Sequence, residues 1–237
     1  MKLCTIETGL PPENLIPRFG TYPQMVERWL SPHLPEARFF SVSAVQGENL
    51  PAPETYDGYI LTGSKHGIYE DLPWIANLRD FLVAAKQAGR PIFGICFGHQ
   101  IMAEAFGGKA VKSERGWGVG AHHYDYAAAS GPGDGASFVF HQDQVTETPP
   151  SARVIGAAGH CPIGALEYDF PALSVQHHPE FTRAYIEALL DLRGGSTISA
   201  AVTEKARASI ADFPVDSAPV ARWAADFFRK TLAKQAA

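Results

Sequence analysis

The sequence predicts an α/β fold of three layers: a mixed, mostly parallel sheet flanked by helices, with antiparallel strands added in its second half. Three observations carry this expectation. Apolar strand-like runs alternate with helix-period segments as far as Phe106, the pattern of right-handed βαβ crossovers. After Gly107-Gly108 the texture changes to short β-like runs separated by turn residues. A cysteine, Cys96, stands where an apolar run meets a helical pattern, at the carboxyl end of a strand, where open α/β sheets bind ligands.

Residues 2–7 form the first expected strand, and residues 8–20, with Gly9, Pro11, Pro12 and Pro17, read as a loop. Thr21 suits an N-cap and Pro23 the first turn of a helix in which Tyr22, Met25, Val26, Trp29 and Leu30 recur at helical spacing. Arg38 to Ala44 is the next strand, and Pro51 with Pro53 marks the loop before the strand Tyr59–Gly63. That strand runs into the polar loop Ser64-Lys65-His66-Gly67. Trp74, Ile75, Leu78, Phe81, Leu82 and Ala85 keep the helical period until Gly89, and Pro91 opens the cysteine strand. Beyond residue 108, strands are expected at 109–113, 119–126, 137–140, 152–158, 165–168 and 173–176, with a surface loop at 131–135. A helix resumes over 181–192 and ends at Gly194-Gly195. Two further amphipathic patterns, 198–210 and one after Pro219, predict a cover packed on the sheet, so residues 194–237 read as a helical extension of the domain formed by 1–193.

A chain of 237 residues can bury one full core, and 46% hydrophobic with 19% charged residues is the profile of a compact globular protein. A net charge of −5 argues against general nucleic-acid binding, which uses a basic face. Three cysteines, Cys4, Cys96 and Cys161, make neither a CxxC pair nor an even set, so no disulfide framework is expected. The start runs directly into a strand pattern and no apolar run is long enough to span a membrane, so a cytoplasmic protein is expected. No phosphate-binding loop or metal-ligand spacing is present, and His141 near Asp143 lacks a third ligand; no metal or other cofactor is expected.

Gly94-Ile95-Cys96-Phe97-Gly98-His99-Gln100 reads as strand, sharp turn and helix with Cys96 at the apex. Such an elbow pushes the apical side chain clear of the sheet, and flanking glycines let neighbouring backbone approach. Cys96 is therefore expected to be presented rather than buried. The helix that follows points its positive end at the sulfur, which favours a thiolate, and its first N–H groups can hold an oxyanion.

A cysteine nucleophile needs a base, and the base an orienting group. Of nine histidines, one lies in a segment that supplies both: Gln176-His177-His178-Pro179-Glu180. In extended backbone His178 and Glu180, two apart, leave on the same side while His177 points away. His177 therefore reads as a packing or hydrogen-bonding residue, His122 and His123 as members of a half-exposed strand, and Cys4 and Cys161 as structural.

Together the segments Gly94–Gln100 and Gln176–Glu180 resemble the paired signature of class I, triad-type glutamine amidotransferases. Tyr59–Ser64 stands where that family carries its oxyanion-strand glycine, and Phe140-His141-Gln142-Asp143-Gln144-Val145 resembles its histidine-x-aspartate-x-valine segment. The resemblance spans residues 1 to about 193 and implies the three-layer glutaminase fold of the flavodoxin and Rossmann type. It implies that Cys96 attacks a glutamine side-chain amide to give a γ-glutamyl thioester, with His178 as base and then acid, oriented by Glu180. It further implies an oxyanion hole from the backbone of Gly63 and Phe97, and a substrate pocket from Ser64, Gln100, His141, Gln142 and Asp143.

Ser64 replaces the proline of the family's usual Gly-Gly-Pro, and Phe140 stands where Ser or Asn is usual. Gly63-Ser64-Lys65-His66 and Asp71-Leu72-Pro73-Trp74-Ile75 are more similar to a stand-alone branch, related to the glutaminase of GMP synthase, that includes plant γ-glutamyl peptidases. Two enzyme readings follow: a glutaminase that delivers ammonia to a separate synthetase, or a self-sufficient γ-glutamyl hydrolase acting on γ-glutamyl amides or glutathione conjugates. An inactive binding module is disfavoured by the intact Cys96, His178 and Glu180. A cysteine enzyme of the intracellular-protease and chaperone group would not be expected to carry His178-Pro179-Glu180.

Overall fold

The computed structural model describes residues 1–128 and 130–235. In chain order the elements are β1 (Lys2–Glu7), α1 (Ile16–Phe19), α2 (Tyr22–Leu30), β2 (Arg38–Ser43), β3 (Gly58–Leu61), α3 (Pro73–Gln87), β4 (Ile92–Ile95) and α4 (Phe97–Ala105). The second half adds β5 (Lys109–Lys112), β6 (Gly118–Tyr126), β7 (Gly135–His141), β8 (Asp143–Glu147), β9 (Ala152–Ala157), β10 (Ala165–Tyr168) and β11 (Ala172–Val175). It closes with α5 (Arg183–Arg193), α6 (Ala200–Asp212) and α7 (Ala218–Gln235).

Nine strands form one sheet in the order β2-β1-β3-β4-β11-β10-β9-β6-β7, and β5 pairs with β8 in a separate ribbon. The pairings from β2 across to β11 are parallel, and those from β11 out to β7 are antiparallel. The mixed, mostly parallel core with an antiparallel addition is thus the architecture the sequence predicts.

Alternation along the central strands builds the three layers. Cys4, Ile6, Tyr59, Leu61 and Ile92 face one side and pack with Ile75, Leu78, Leu82, Ile101 and Met102 of α3 and α4. Leu3, Ile60, Phe93 and Ile95 face the other and pack with Val26 and Leu30 of α2 and with Val220, Ala224 and Phe228 of α7. Both faces are covered, so these strands are buried throughout. A third cluster seats α5 and α6 on Val119, Ala121 and Phe138 of the added strands. Gly120, at φ +103, lets α6 approach so closely that a Cβ there would lie 2.9 Å from the Ala206 backbone.

Local signals explain where the helices begin. Thr21 and Gln24 form a reciprocal capping box on α2, with Thr21 N–H donating to Gln24 Oε1 at 2.9 Å. Thr182 caps α5 by accepting from the Tyr185 N–H. Two elements depart from expectation. The loop 8–20 contains the single turn α1, stabilised by Pro17 in its first turn. The strand β8 was not foreseen, because its outward Asp143, Thr146 and Glu147 break the apolar alternation until pairing with β5 reveals it. The last two residues of the expected 194–237 extension lie outside the described residues. Among the described residues, no helix is long and apolar enough to cross a membrane.

Candidate active site

β4 ends at Ile95 and α4 begins at Phe97, leaving a single residue, Cys96, to turn the chain. Its backbone sits at φ 52 and ψ −101, and among the described residues it is the sole non-glycine with positive φ. A strained conformation of this kind costs on the order of 1–3 kcal/mol and persists because its surroundings hold it. Two glycines supply that hold. A Cβ on Gly98 would lie 2.7 Å from Leu61 Cβ, and one on Gly94 would lie 2.5 Å from Met102 Sδ. The Gly98 N–H donates to the Thr62 carbonyl, pinning the start of α4 to the end of β3.

One expectation is corrected here: the elbow does not present the thiol to bulk solvent. Cys96 is only 4% exposed, because the second half of the chain folds over the elbow, and it forms part of the wall of a cavity of about 400 Å³. The other cysteines lie elsewhere in the core, where burial pushes each thiol up to about 12.

His178 reaches Cys96 from the far end of β11. Its N–H donates to the Phe138 carbonyl at 2.8 Å, and the chain then turns. The turn, rather than the extended backbone expected, brings His178 Nδ1 and Glu180 Oε1 to 2.7 Å. Both side chains are almost fully buried. Burial by itself favours the neutral ring, but the negative charge of Glu180, and then the nearby Cys96 sulfur, outweigh it and hold His178 up to about 10.

Gly63 lies against both groups: a Cβ there would be 2.7 Å from His178 Cε1 and 3.6 Å from Cys96 Cβ. The Thr8 hydroxyl donates to the carbonyls of Thr62 and Gly63 and fixes this segment. Among the described residues, neither the Gly63 N–H nor the Phe97 N–H has a hydrogen-bond partner. The Phe97 side chain is buried against Trp74, pointing into the core.

Ser64, Gln100, His141, Gln142 and Asp143 all line the same cavity. Gln100 Nε2 donates to the Asp143 carbonyl at 2.8 Å, and His141 Nδ1 donates to the same oxygen at 3.1 Å. Burial, then the nearby His160 and His178, keeps His141 neutral, and burial raises the Asp143 carboxyl. His177 points away into the core, where its nitrogens meet Tyr126 and Ser137.

Sequence reasoning passed over Gln176. Its side chain is fully buried, accepts from Gln100 Nε2 at 3.2 Å and donates to Cys96 Sγ at 3.6 Å. The pointer was its place two residues before His178, on the same side of the strand. The rings of His122, His160 and His141, from three separate segments, also line up at 5.7 and 6.0 Å, which no local pattern announces. Among the described residues, no group of three His, Cys, Asp or Glu could hold a metal ion.

The site gathers a cysteine sulfur, an imidazole hydrogen-bonded to a carboxylate, and a glycine lying against both, the kinds of group acyl transfer uses. Comparison with known proteins agrees. The family model for glutamine amidotransferase class-I matches residues 39–187. Gamma-glutamyl peptidase 2 of Arabidopsis thaliana is 30% identical over 69% of this chain and 70% of its own. A GMP synthase [glutamine-hydrolyzing] of Azoarcus sp. is 35% identical, over 53% of this chain but 26% of its own length. The solved structure of a glutamine amido transferase from Methylobacillus Flagellatus has the same fold, with a TM-score of 0.75 at 18% identity, covering 98% of this chain and 94% of that one. The chain belongs to the class-I glutamine amidotransferase family.

Proposed function

We propose that the protein hydrolyses the side-chain amide of glutamine through a thioester on Cys96, releasing ammonia to an acceptor such as a separate synthetase. The observation that carries this reading is that Cys96 and His178, the latter paired with Glu180, line one cavity, with Gly63 lying against both. The thiolate attacks the carbonyl carbon of the side-chain amide, forming a carbon–sulfur bond, and the N–H groups of Gly63 and Phe97 receive the negative oxygen. As the carbon–nitrogen bond breaks, His178 gives its proton to the departing ammonia. Water then attacks the thioester, loses a proton to His178, and yields glutamate and the free thiolate. Ser64, Gln100, His141, Gln142 and Asp143 hold the substrate in this reading, and residues 194–237 extend the 1–193 domain within one folded unit.

A second reading is favoured by Phe140, which replaces a small polar residue on the cavity wall, and by a γ-glutamyl peptidase match that runs over most of both chains. In it the same thioester forms and an amine larger than ammonia departs. Incubation with glutamine and with γ-glutamyl amides, following ammonia or amine release in wild type and Cys96→Ala, tests both. Release that depends on Cys96 supports the thioester; release unaffected by Cys96→Ala, or none from any donor, sinks it.

A further inference from the structure

The cavity is larger and more varied than ammonia release requires. Its volume of about 400 Å³ falls in the roughly 300–1,000 Å³ range of sites for drug-sized ligands. One part of it is polar and balanced in charge: Lys65 faces Glu70, and Lys112 faces Asp143. Another part has a different character. Trp117 and Phe140 meet edge to face at 5.7 Å, and both pack with Leu189 in the same apolar cluster. Arg193, one helical turn beyond Leu189 on α5, lines the cavity without an ion-pair partner among the described residues.

The position of this wall relative to the reacting atoms follows from strand register. The His178 N–H bonds to the Phe138 carbonyl, and Phe140 lies two residues further along β7 on the same face, about 7 Å away at the usual strand rise. That is the reach of a side chain carried by an amine that leaves the acyl carbon beside His178. Ammonia has no atoms to place there, and glutamine carries one α-carboxylate, which the lysines of the polar part can meet.

We propose that Trp117, Phe140, Leu189 and Arg193 form a leaving-group subsite. It takes γ-glutamyl peptides whose departing residue carries an apolar side chain and a free α-carboxylate. The inference rests on the thioester reading and specifies its leaving group. The carbonyl carbon of the γ-glutamyl group forms its bond to Cys96 sulfur as its amide carbon–nitrogen bond breaks. The departing amino group takes the proton of His178 while the aromatic wall holds its side chain and Arg193 its carboxylate, and water then releases glutamate.

The test compares γ-glutamylphenylalanine, its carboxamide-capped form, γ-glutamylglycine and glutamine. Wild type is expected to give a kcat/KM for γ-glutamylphenylalanine at least tenfold above that for the capped form and for γ-glutamylglycine. Arg193→Gln should shrink the preference for the free acid over the capped form at least fivefold, through KM; Phe140→Ser should shrink the preference for phenylalanine over glycine. Equal rates in wild type, or preferences unmoved by the variants, overturn the subsite. If no donor is turned over, calorimetric binding of the free and capped peptides to Cys96→Ala decides. A preference for the free acid that Arg193→Gln removes upholds the subsite while retiring the thioester, and equal binding overturns the subsite.

Discussion

The rings of His178 and Phe181 lie face to face, with centroids 4.0 Å apart and planes 9° from parallel. Phe181 is itself wedged by Tyr185 at 4.6 Å and Tyr22 at 6.0 Å, so the imidazole is held at its edge by Glu180 and on its face by a fixed aromatic stack. The face of an aromatic ring also favours a cation above it, by about 0.5–2 kcal/mol. Phe181→Leu keeps most of the volume and removes that face. We expect kcat to fall about tenfold and the alkaline limb of its pH profile to move to lower pH, since roughly 1.4 kcal/mol is a factor of ten. An unchanged limb would mean that Phe181 only fills space.

Glu180 and His178 are separable by mutation. Because the ring is held up to about 10, its proton is present at neutral pH and lost only as pH rises through that value. Glu180→Gln removes the nearby negative charge, so the alkaline limb should shift downward while turnover falls less than in His178→Ala, which removes the proton carrier. Steady-state kinetics from pH 6 to 10, roughly spanning the ring's ordinary and raised values, read both effects. Equal losses in the two variants would count against an orienting role.

Gly63→Ala tests the oxyanion site. The new methyl would press 2.7 Å from His178 Cε1, in a place where neither the ring nor the elbow can give way easily. The N–H is kept but pushed out of place, so the expected outcome is a loss of about a hundredfold or more in kcat, comparable to losing one oxyanion donor, with a lowered unfolding midpoint because the clash must be relieved. Retention of near-normal kcat would remove Gly63 from the site.

Two of the buried histidines held below their ordinary value, His99 and His177, weaken the fold in acid. Burial holds His99 down to about 4 and His177 down to about 3, and both rings use both nitrogens in hydrogen bonds. The unfolded chain takes protons near pH 6.5 while the folded one does not. Stability is therefore full above about 6.5 and is lost as pH falls toward 4, by up to about 1.4 kcal/mol per histidine per pH unit. Urea unfolding at pH 7 and pH 5 checks this; equal free energies would show that the buried rings are charged in the fold.

The elements of the parallel core were legible in sequence because each is written locally. The capping box of Thr21 and Gln24 and the period of Trp74 to Ala85 act within a few residues, and the glycines that permit the cysteine turn stand two positions on either side of Cys96. The candidate triad was legible for the same reason: Cys96 carries its elbow with it, and His178 and Glu180 lie two apart. What was misread involved partners distant in the chain. Cys96 looked presented because nothing near it in sequence covers it, and β8 looked like loop because β5 is its partner.

By itself, then, the sequence determined the α/β order, the sharp cysteine turn and the pairing of His178 with Glu180, since backbone preference and short spacing act before the chain closes on itself. Only the tertiary structure decided the ring stacked on His178, the amide of Gln176 at the sulfur, and the gathering of Trp117, Phe140 and Arg193 around one cavity. These relations join segments far apart in the chain. They depend on sheet register and on how helices seat against it, which no local stretch of residues specifies.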